Sequence, residues 1–283
     1  MARTKRWTWS NHSNGIAQVK ISSWKYFADF IHDEMQDYNS YIWRGQKCDT
    51  WQLESTFDRL VRDAKVPDTR HYAFLSKHLD AFKYAVRGRR GSNPPIINDE
   101  NEWWALGQHH GLATPLLDWT TSPFVAAFFA FIETTEPQTR FRAIYALHQP
   151  TIERLSKDKA RLANIERKER VNAAKNSLSR MLLDYEIKLE ASFIRPLSDE
   201  NHRLMNQGGL FSRTPTGKTL EQWVQEHCSE GESGTIIKIL IPNQSRENCL
   251  RNLNRMNINH LSLFADLFGA SRFCNLFSEI SRY

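Results

Sequence analysis

The sequence predicts an α+β fold in one domain carrying a helical insertion. Strand-like runs alternate with amphipathic helical segments, and no internal repeat or low-complexity linker divides the chain. Residues 151–190 then change to a Lys-, Arg- and Glu-dense texture. With 283 residues, 40% of them hydrophobic and 12% aromatic, the chain has ample material for a packed core, which excludes global disorder.

Residues 16–21 alternate weakly and predict a strand. Ser22 and Ser23 stand as caps before a helix over 24–36, where Trp24, Phe27, Ile31 and Met35 recur at helical spacing. Tyr41-Ile-Trp-Arg-Gly-Gln reads as a short buried strand. A helix over 69–86 follows, with Phe74, Leu75, Leu79, Phe82 and Val86 on one face, and stops at Arg87-Gly-Arg-Arg-Gly and Pro94-Pro95. Asn98 or Asp99 caps the next helix, through Trp103 and Trp104 to His109. The apolar helix 124–132 has Pro123 in its first turn behind Ser122 as cap. Residues 142–148 read as a strand and 151–190 as an inserted long helix or helical hairpin, solvated on its charged face. Residues 234–242 are the strongest strand signal, and 246–255 form a short helix.

Lys and Arg number 38 against 32 Asp and Glu, a net charge of +6 that permits an anionic partner without requiring one. Cys48, Cys228, Cys249 and Cys274 form no Cys-x-x-Cys pair, so neither a disulfide framework nor a zinc knuckle is written here. The basic N-terminus lacks the apolar run of a signal peptide, and the longest apolar stretch, Phe124 to Ile132, is too short to span a bilayer. The expectation is a cytoplasmic protein with no membrane partner.

Three segments carry candidate chemistry. In Trp43-Arg44-Gly45-Gln46, an Arg then a Gly at a strand end would let backbone approach a ligand while the guanidinium grips an anion; a structural ion pair is the plainer alternative. In Gln108 to Pro123, the hydroxyls of Thr120, Thr121 and Ser122, with free N–H groups at the helix start, suit a phosphate or ribose. Asp118, between Leu117 and Trp119, needs a partner and reads evenly as a buried structural acceptor or a site carboxylate. His109 and His110 have no third ligand at recognisable spacing, so no metal site is expected. In the third segment, Arg203 to Phe211, Gln207 places an amide beside Gly208-Gly209, to read a ribose or simply to make a turn. Phosphate-loop, dinucleotide and nucleophile-elbow signatures are absent.

Together these segments resemble the FRG domain family. Trp43-Arg44-Gly45-Gln46 stands for its signature, and Gln108 to Pro123 matches its long middle motif nearly throughout. Arg203, Gln207, Gly209 and Phe211, the strand Ile236 to Pro242 and Leu263-Phe264 look like further landmarks; Ala265 stands where a Pro-like residue is usual. The resemblance covers roughly residues 20–270 without the insertion.

That pattern in turn resembles a diverged ADP-ribosyltransferase, which implies a split β-sheet core with flanking helices. Arg44-Gly45 resembles the early-strand Arg. Thr120-Thr121-Ser122 before Ala126-Ala127-Phe128-Phe129 resembles the Ser/Thr-x-Ser strand and its helix. The position of the catalytic Glu falls near Asn206 to Gly209, where no Glu stands. The resemblance therefore implies an enzyme consuming NAD as substrate. Arg44, Asp118 and Gln207 would be its catalytic residues, Asp118 substituting for the acid, and Arg44, Gly45, Gln46, His109, Thr120, Thr121 and Ser122 would bind NAD. It also implies a toxin of a bacterial defence or toxin-antitoxin system, modifying nucleic acid (RNA favoured) or protein, with a cognate antitoxin as partner. Arg87, Arg89, Arg90 and the insertion supply the basic surface behind the nucleic-acid preference. A non-catalytic nucleotide- or nucleic-acid-binding module is the alternative, and a nuclease-like toxin using Asp118 and His109 the third reading.

Overall fold

The computed structural model describes residues 5–133, 140–173, 190–196 and 206–283. Eight strands form a sheet: β1 (Trp7–Ser13), β2 (Ile16–Ile21), β3 (Tyr41–Gln46), β4 (Leu116–Thr120), β5 (Phe141–His148), β6 (Ser192–Ile194), β7 (Gly209–Arg213) and β8 (Ile236–Pro242). Their spatial order is β1-β2-β8-β5-β3-β4-β7-β6. Only β2 and β8 run parallel; the other neighbours are antiparallel.

The helices are α1 (Phe27–Glu34), α2 (Thr56–Asp63), α3 (His71–Ala85), α4 (Glu100–His109), α5 (Pro123–Phe131) and α6 (Gln149–Ala173). After them come α7 (Leu220–His227), α8 (Arg246–Arg255), the single turn α9 (His260–Leu263) and α10 (Leu267–Glu279). Both faces of the central strands are covered, which is why β5 and β8 read as mostly apolar runs, broken by Arg142 and Lys238. On one face, Trp43, Ile144 and Ile239 pack with α1, α5 and α8. On the other, Ile42, Tyr145 and Leu240 pack with the start of α6 and with α7. A third cluster, around Phe57, Leu79, Trp104 and Phe211, joins α2, α3 and α4 to the β4–β7 half. No described helix is long and apolar enough to cross a membrane.

One junction in the sheet decides where a site can form. β3 pairs with β5 over six positions and β4 with β7 over five, but β3 meets β4 at a single position, Trp43 opposite Thr120. The sheet therefore parts beyond that pair, and residues 44–46 of β3 and 116–118 of β4 diverge around a cleft.

Several expectations hold with adjusted bounds. The helix expected over 24–36 begins as a 3-10 turn at Trp24–Tyr26, and Ser23 makes no capping hydrogen bond there. Asp99 caps α4, its side chain accepting from the Asn101 N–H. Ser122 caps α5, accepting from the Val125 N–H 3.3 Å away, with Pro123 in the first turn as expected. The helical segment expected from residue 151 begins earlier, at Gln149. Its Ile152 and Leu155 are buried, while Leu162 and Ile165 are exposed. Residues 174–189 of that segment lie outside the described residues.

Candidate functional site

The cleft at the parting holds about 410 Å³. β3 supplies Arg44, β4 supplies Asp118, the end of α4 supplies Gln108 and His109, and the turn before β7 supplies Gln207. Phe129 and Phe264 form an apolar wall, and Glu133 stands just past the end of α5. Arg44, Asp118 and Gln207, the three candidate catalytic residues, thus line one cavity.

Arg44 is the best-determined group. Its side chain is only 19% exposed. One guanidinium nitrogen donates to the Asp118 carbonyl oxygen at 2.8 Å and lies 3.5 Å from an Asp118 carboxylate oxygen. The Nε–H is buried and has no partner among the described residues. Burial pushes the Arg44 pKa down and the Asp118 charge opposes that shift. A buried guanidinium donor without an acceptor is costly in a protein interior.

Asp118 departs from its expected setting. Its flanking apolar neighbours, Leu117 and Trp119, are buried, but strand alternation turns the Asp118 side chain out to the cleft, where it is 63% exposed. It is not a buried structural acceptor. Gln108 Nε2 donates to its Oδ1 at 2.6 Å, and Gln108 Oε1 in turn accepts from the Thr114 hydroxyl. Thr114 is fully buried, so this chain fixes the carboxylate from behind. Gln108 heads the middle motif, yet nothing in the sequence identified it as the group that holds Asp118.

The other candidates divide. Thr120 is buried and lines the cavity, but its hydroxyl donates to the Gln207 carbonyl oxygen at 2.6 Å and accepts from the Ser122 N–H. It is a tie between the strand end and the 207–208 turn. Gln207 Nε2 donates to the Leu263 carbonyl oxygen at 3.2 Å, and Gly208 takes φ +56°, with no room for a Cβ beside the Thr121 hydroxyl. Thr121 and Ser122 line a separate depression with Ile31 and His32, so β4 ends before its hydroxyls could join Arg44. His109 borders the cavity and stacks edge-on with His110. Arg203 lies outside the described residues.

Gly45 serves the fold. A Cβ there would overlap the Ala126 carbonyl oxygen and stand 2.6 Å from the Ala130 nitrogen, so its missing side chain lets α5 lie directly on β3. That close approach by itself requires glycine, and Gly45 also lines the cavity. Gln46 is buried on the far side of Arg44, beside a second cleft. Glu133, which sequence reasoning did not single out, is the first charged residue after the apolar helix. Its carbonyl oxygen accepts from buried Arg142, which also bonds the Ala130 carbonyl and the Asn243 side chain, and this fixes the end of α5 at the cavity rim.

The arrangement defines a class: an α+β protein with a buried guanidinium, two carboxylates and two amides around a cleft where its sheet parts. Residues 39–139, which run from the start of β3 past Glu133, match the family model of the FRG domain. That supports the resemblance drawn from Trp43-Arg44-Gly45-Gln46 and from Gln108 to Pro123, over a shorter span than 20–270. No curated protein and no solved structure matches the chain.

Proposed function

We propose that the protein is an NAD-dependent ADP-ribosyltransferase acting as a toxin, with its reaction centre in the cleft between β3 and β4. The observation that carries this reading is the Arg44 guanidinium, buried with an unsatisfied Nε–H beside Asp118 at the sheet parting. A diphosphate supplies the acceptor oxygens such a group lacks. The roles follow from position. Arg44 grips the diphosphate, and the Phe129 and Phe264 wall excludes water from one side of the nicotinamide. Asp118, steadied by Gln108, opposes the positive charge that builds on the ribose. Glu133 is the second carboxylate within the same cavity.

In the reaction, the bond from the ribose anomeric carbon to nicotinamide breaks and nicotinamide leaves with the electron pair. The acceptor nucleophile bonds that carbon and gives up its proton to water. A carboxylate that is 63% exposed works here by alignment more than by a strongly reduced dielectric.

Incubation with labelled NAD and separate pools of RNA, DNA and protein tests the reading. Label in one pool, lost in Arg44→Ala with an unchanged unfolding transition, is the expected result. NAD left intact by folded wild-type protein would refute it. The second reading, a nucleotide-binding module without turnover, draws on the position of Thr121 and Ser122 outside the cleft. It predicts NAD binding with no nicotinamide release.

A further inference from the structure

Beyond Arg44 the reaction cleft opens into a second one of about 720 Å³, bounded by the loop 47–54 and the outer face of α2. Its cations are Arg44, Lys47, Arg59 and Arg62, against Glu54 and Glu133. Glu54 is engaged by Arg62, and Arg59 donates to the Glu54 carbonyl oxygen at 2.8 Å, so both guanidiniums are held at the rim with further donors remaining. Trp51 stands among these charges, 49% exposed, with the Lys47 ammonium 5.6 Å from its ring centre.

Two features mark this cleft as built and not incidental. First, the loop is clamped from beneath by groups that all bond its main chain. Glu221 accepts from the Leu53 N–H at 2.9 Å, the Tyr145 hydroxyl donates to the Trp51 carbonyl at 2.9 Å, and Lys238 and Gln46 donate to the carbonyls of Asp49 and Gln52. Burial pushes the Glu221 carboxyl up and the Lys238 ammonium down, so these groups sit in the interior at some cost. Second, Gln46 is 7% exposed, lines the cleft, and its Oε1 has no partner among the described residues. An unsatisfied buried acceptor on a residue that lines a cleft can be met by a ligand N–H or O–H.

We propose that this second cleft binds single-stranded nucleic acid. A base stacks on Trp51, phosphates meet Lys47, Arg59 and Arg62, and a base or ribose donor satisfies Gln46 Oε1. An acidic peptide would meet the cations but leave the exposed indole face unused. Arg87, Arg89 and Arg90, singled out in the sequence, do not line this cleft: Arg87 packs 3.7 Å over the Tyr84 ring, Arg89 bonds the Ala85 carbonyl, and Arg90 bonds that of Pro95. The further role of the strand as ADP-ribose acceptor rests on the NAD reading above; strand binding itself does not.

The test is fluorescence anisotropy with labelled RNA and DNA strands of about 12 nucleotides, titrated at several salt concentrations with and without NAD. Trp51→Ala should weaken binding about tenfold or more, and Trp51→Phe should retain most of it. Replacing Arg59 and Arg62 together by Gln should weaken binding of all sequences and reduce the salt slope by about 1.4. Tighter binding of the RNA strand names RNA as the partner, and of the DNA strand, DNA. Equal affinity of wild type and the Trp51 and Arg variants would overturn the proposal, as would no strand binding, or loss only on changing Arg87 and Arg89. Displacement of the strand by NAD would assign the cleft to the dinucleotide and overturn it too. Strand binding without NAD consumption would remove only the acceptor role.

Discussion

Replacing Gly45 by Ala separates two reasons for a glycine beside Arg44. If glycine were there for a ligand, Gly45→Ala would leave the fold intact and harm binding only. The geometry predicts the reverse, because the added methyl overlaps the Ala126 carbonyl oxygen and crowds the Ala130 nitrogen. Both obstacles are helix backbone, so no rotamer change relieves them. Relief requires α5 to lift from β3, breaking the packing of Ala126, Ala127, Phe128 and Ala130, all fully buried. Overpacking of this kind costs about 3 kcal/mol or more, a substantial part of a stability of roughly 5–15 kcal/mol. For a chain this long that lowers the unfolding midpoint by about 6–12 °C. Thermal unfolding followed by circular dichroism reads it, with Gly231→Ala as comparison. At Gly231 φ is +94° but nothing stands within 4 Å, so its cost is backbone strain alone, about 1 kcal/mol. A Gly45→Ala protein as stable as the Gly231→Ala protein would refute the reasoning.

Three more perturbations have definite expectations. Arg142→Leu removes the buried fork that bonds Asn243 and the carbonyls of Ala130 and Glu133; urea denaturation should show a loss of about 2–4 kcal/mol, and a loss below about 1 kcal/mol would discount that fork. Asp58→Ala leaves the Ser55 hydroxyl and the Gly217 N–H without their acceptor and should cost about 1–3 kcal/mol by the same measurement. Burial holds the His260 imidazole down to about 4, with Arg272 adding to the shift and Glu133 opposing it. Because the unfolded chain takes up that proton near its ordinary pKa of 6.5 and the folded chain resists it, this contribution is complete above that pH and is lost as pH falls toward 4. Stability should drop by about 2 kcal/mol between roughly pH 7 and pH 5 through this residue, and His260→Phe should flatten that part of the profile. Identical profiles would rule it out.

The central strands were legible because burial on both faces leaves a mostly apolar record at 142–148 and 236–242, and α5 was legible from Ser122, Pro123 and its apolar run. β4 and β7 were not. Leu116–Thr120 and Gly209–Arg213 are short, and what makes them strands is their pairing with each other across some ninety residues. Gly209 read as part of a turn, yet it opens β7 opposite Thr120. β1, rich in polar residues, was hidden for the same reason: its partner β2 defines it. In the site, Arg44, Asp118 and Gln207 line one cavity. Thr121 and Ser122 do not, because β4 ends at Thr120, and the direction of a turn is not encoded by spacing. Glu133 was missed because its position depends on where α5 ends.

The parallel pairing of β2 with β8 bears on how the chain is made. Ile16 pairs with Ile236, so roughly 220 residues must leave the ribosome before β2 finds its inner neighbour. At a synthesis rate of about 5–20 residues per second, that takes about 10–45 s. Over that interval Val19 and Ile21, fully buried in the finished sheet, belong to a hairpin with one open edge. The nascent polypeptide is thus kept from closing its sheet until β8, the last of the described strands, has been translated. Chains stalled before residue 236 should be cut by protease near β2, while released full-length chains resist.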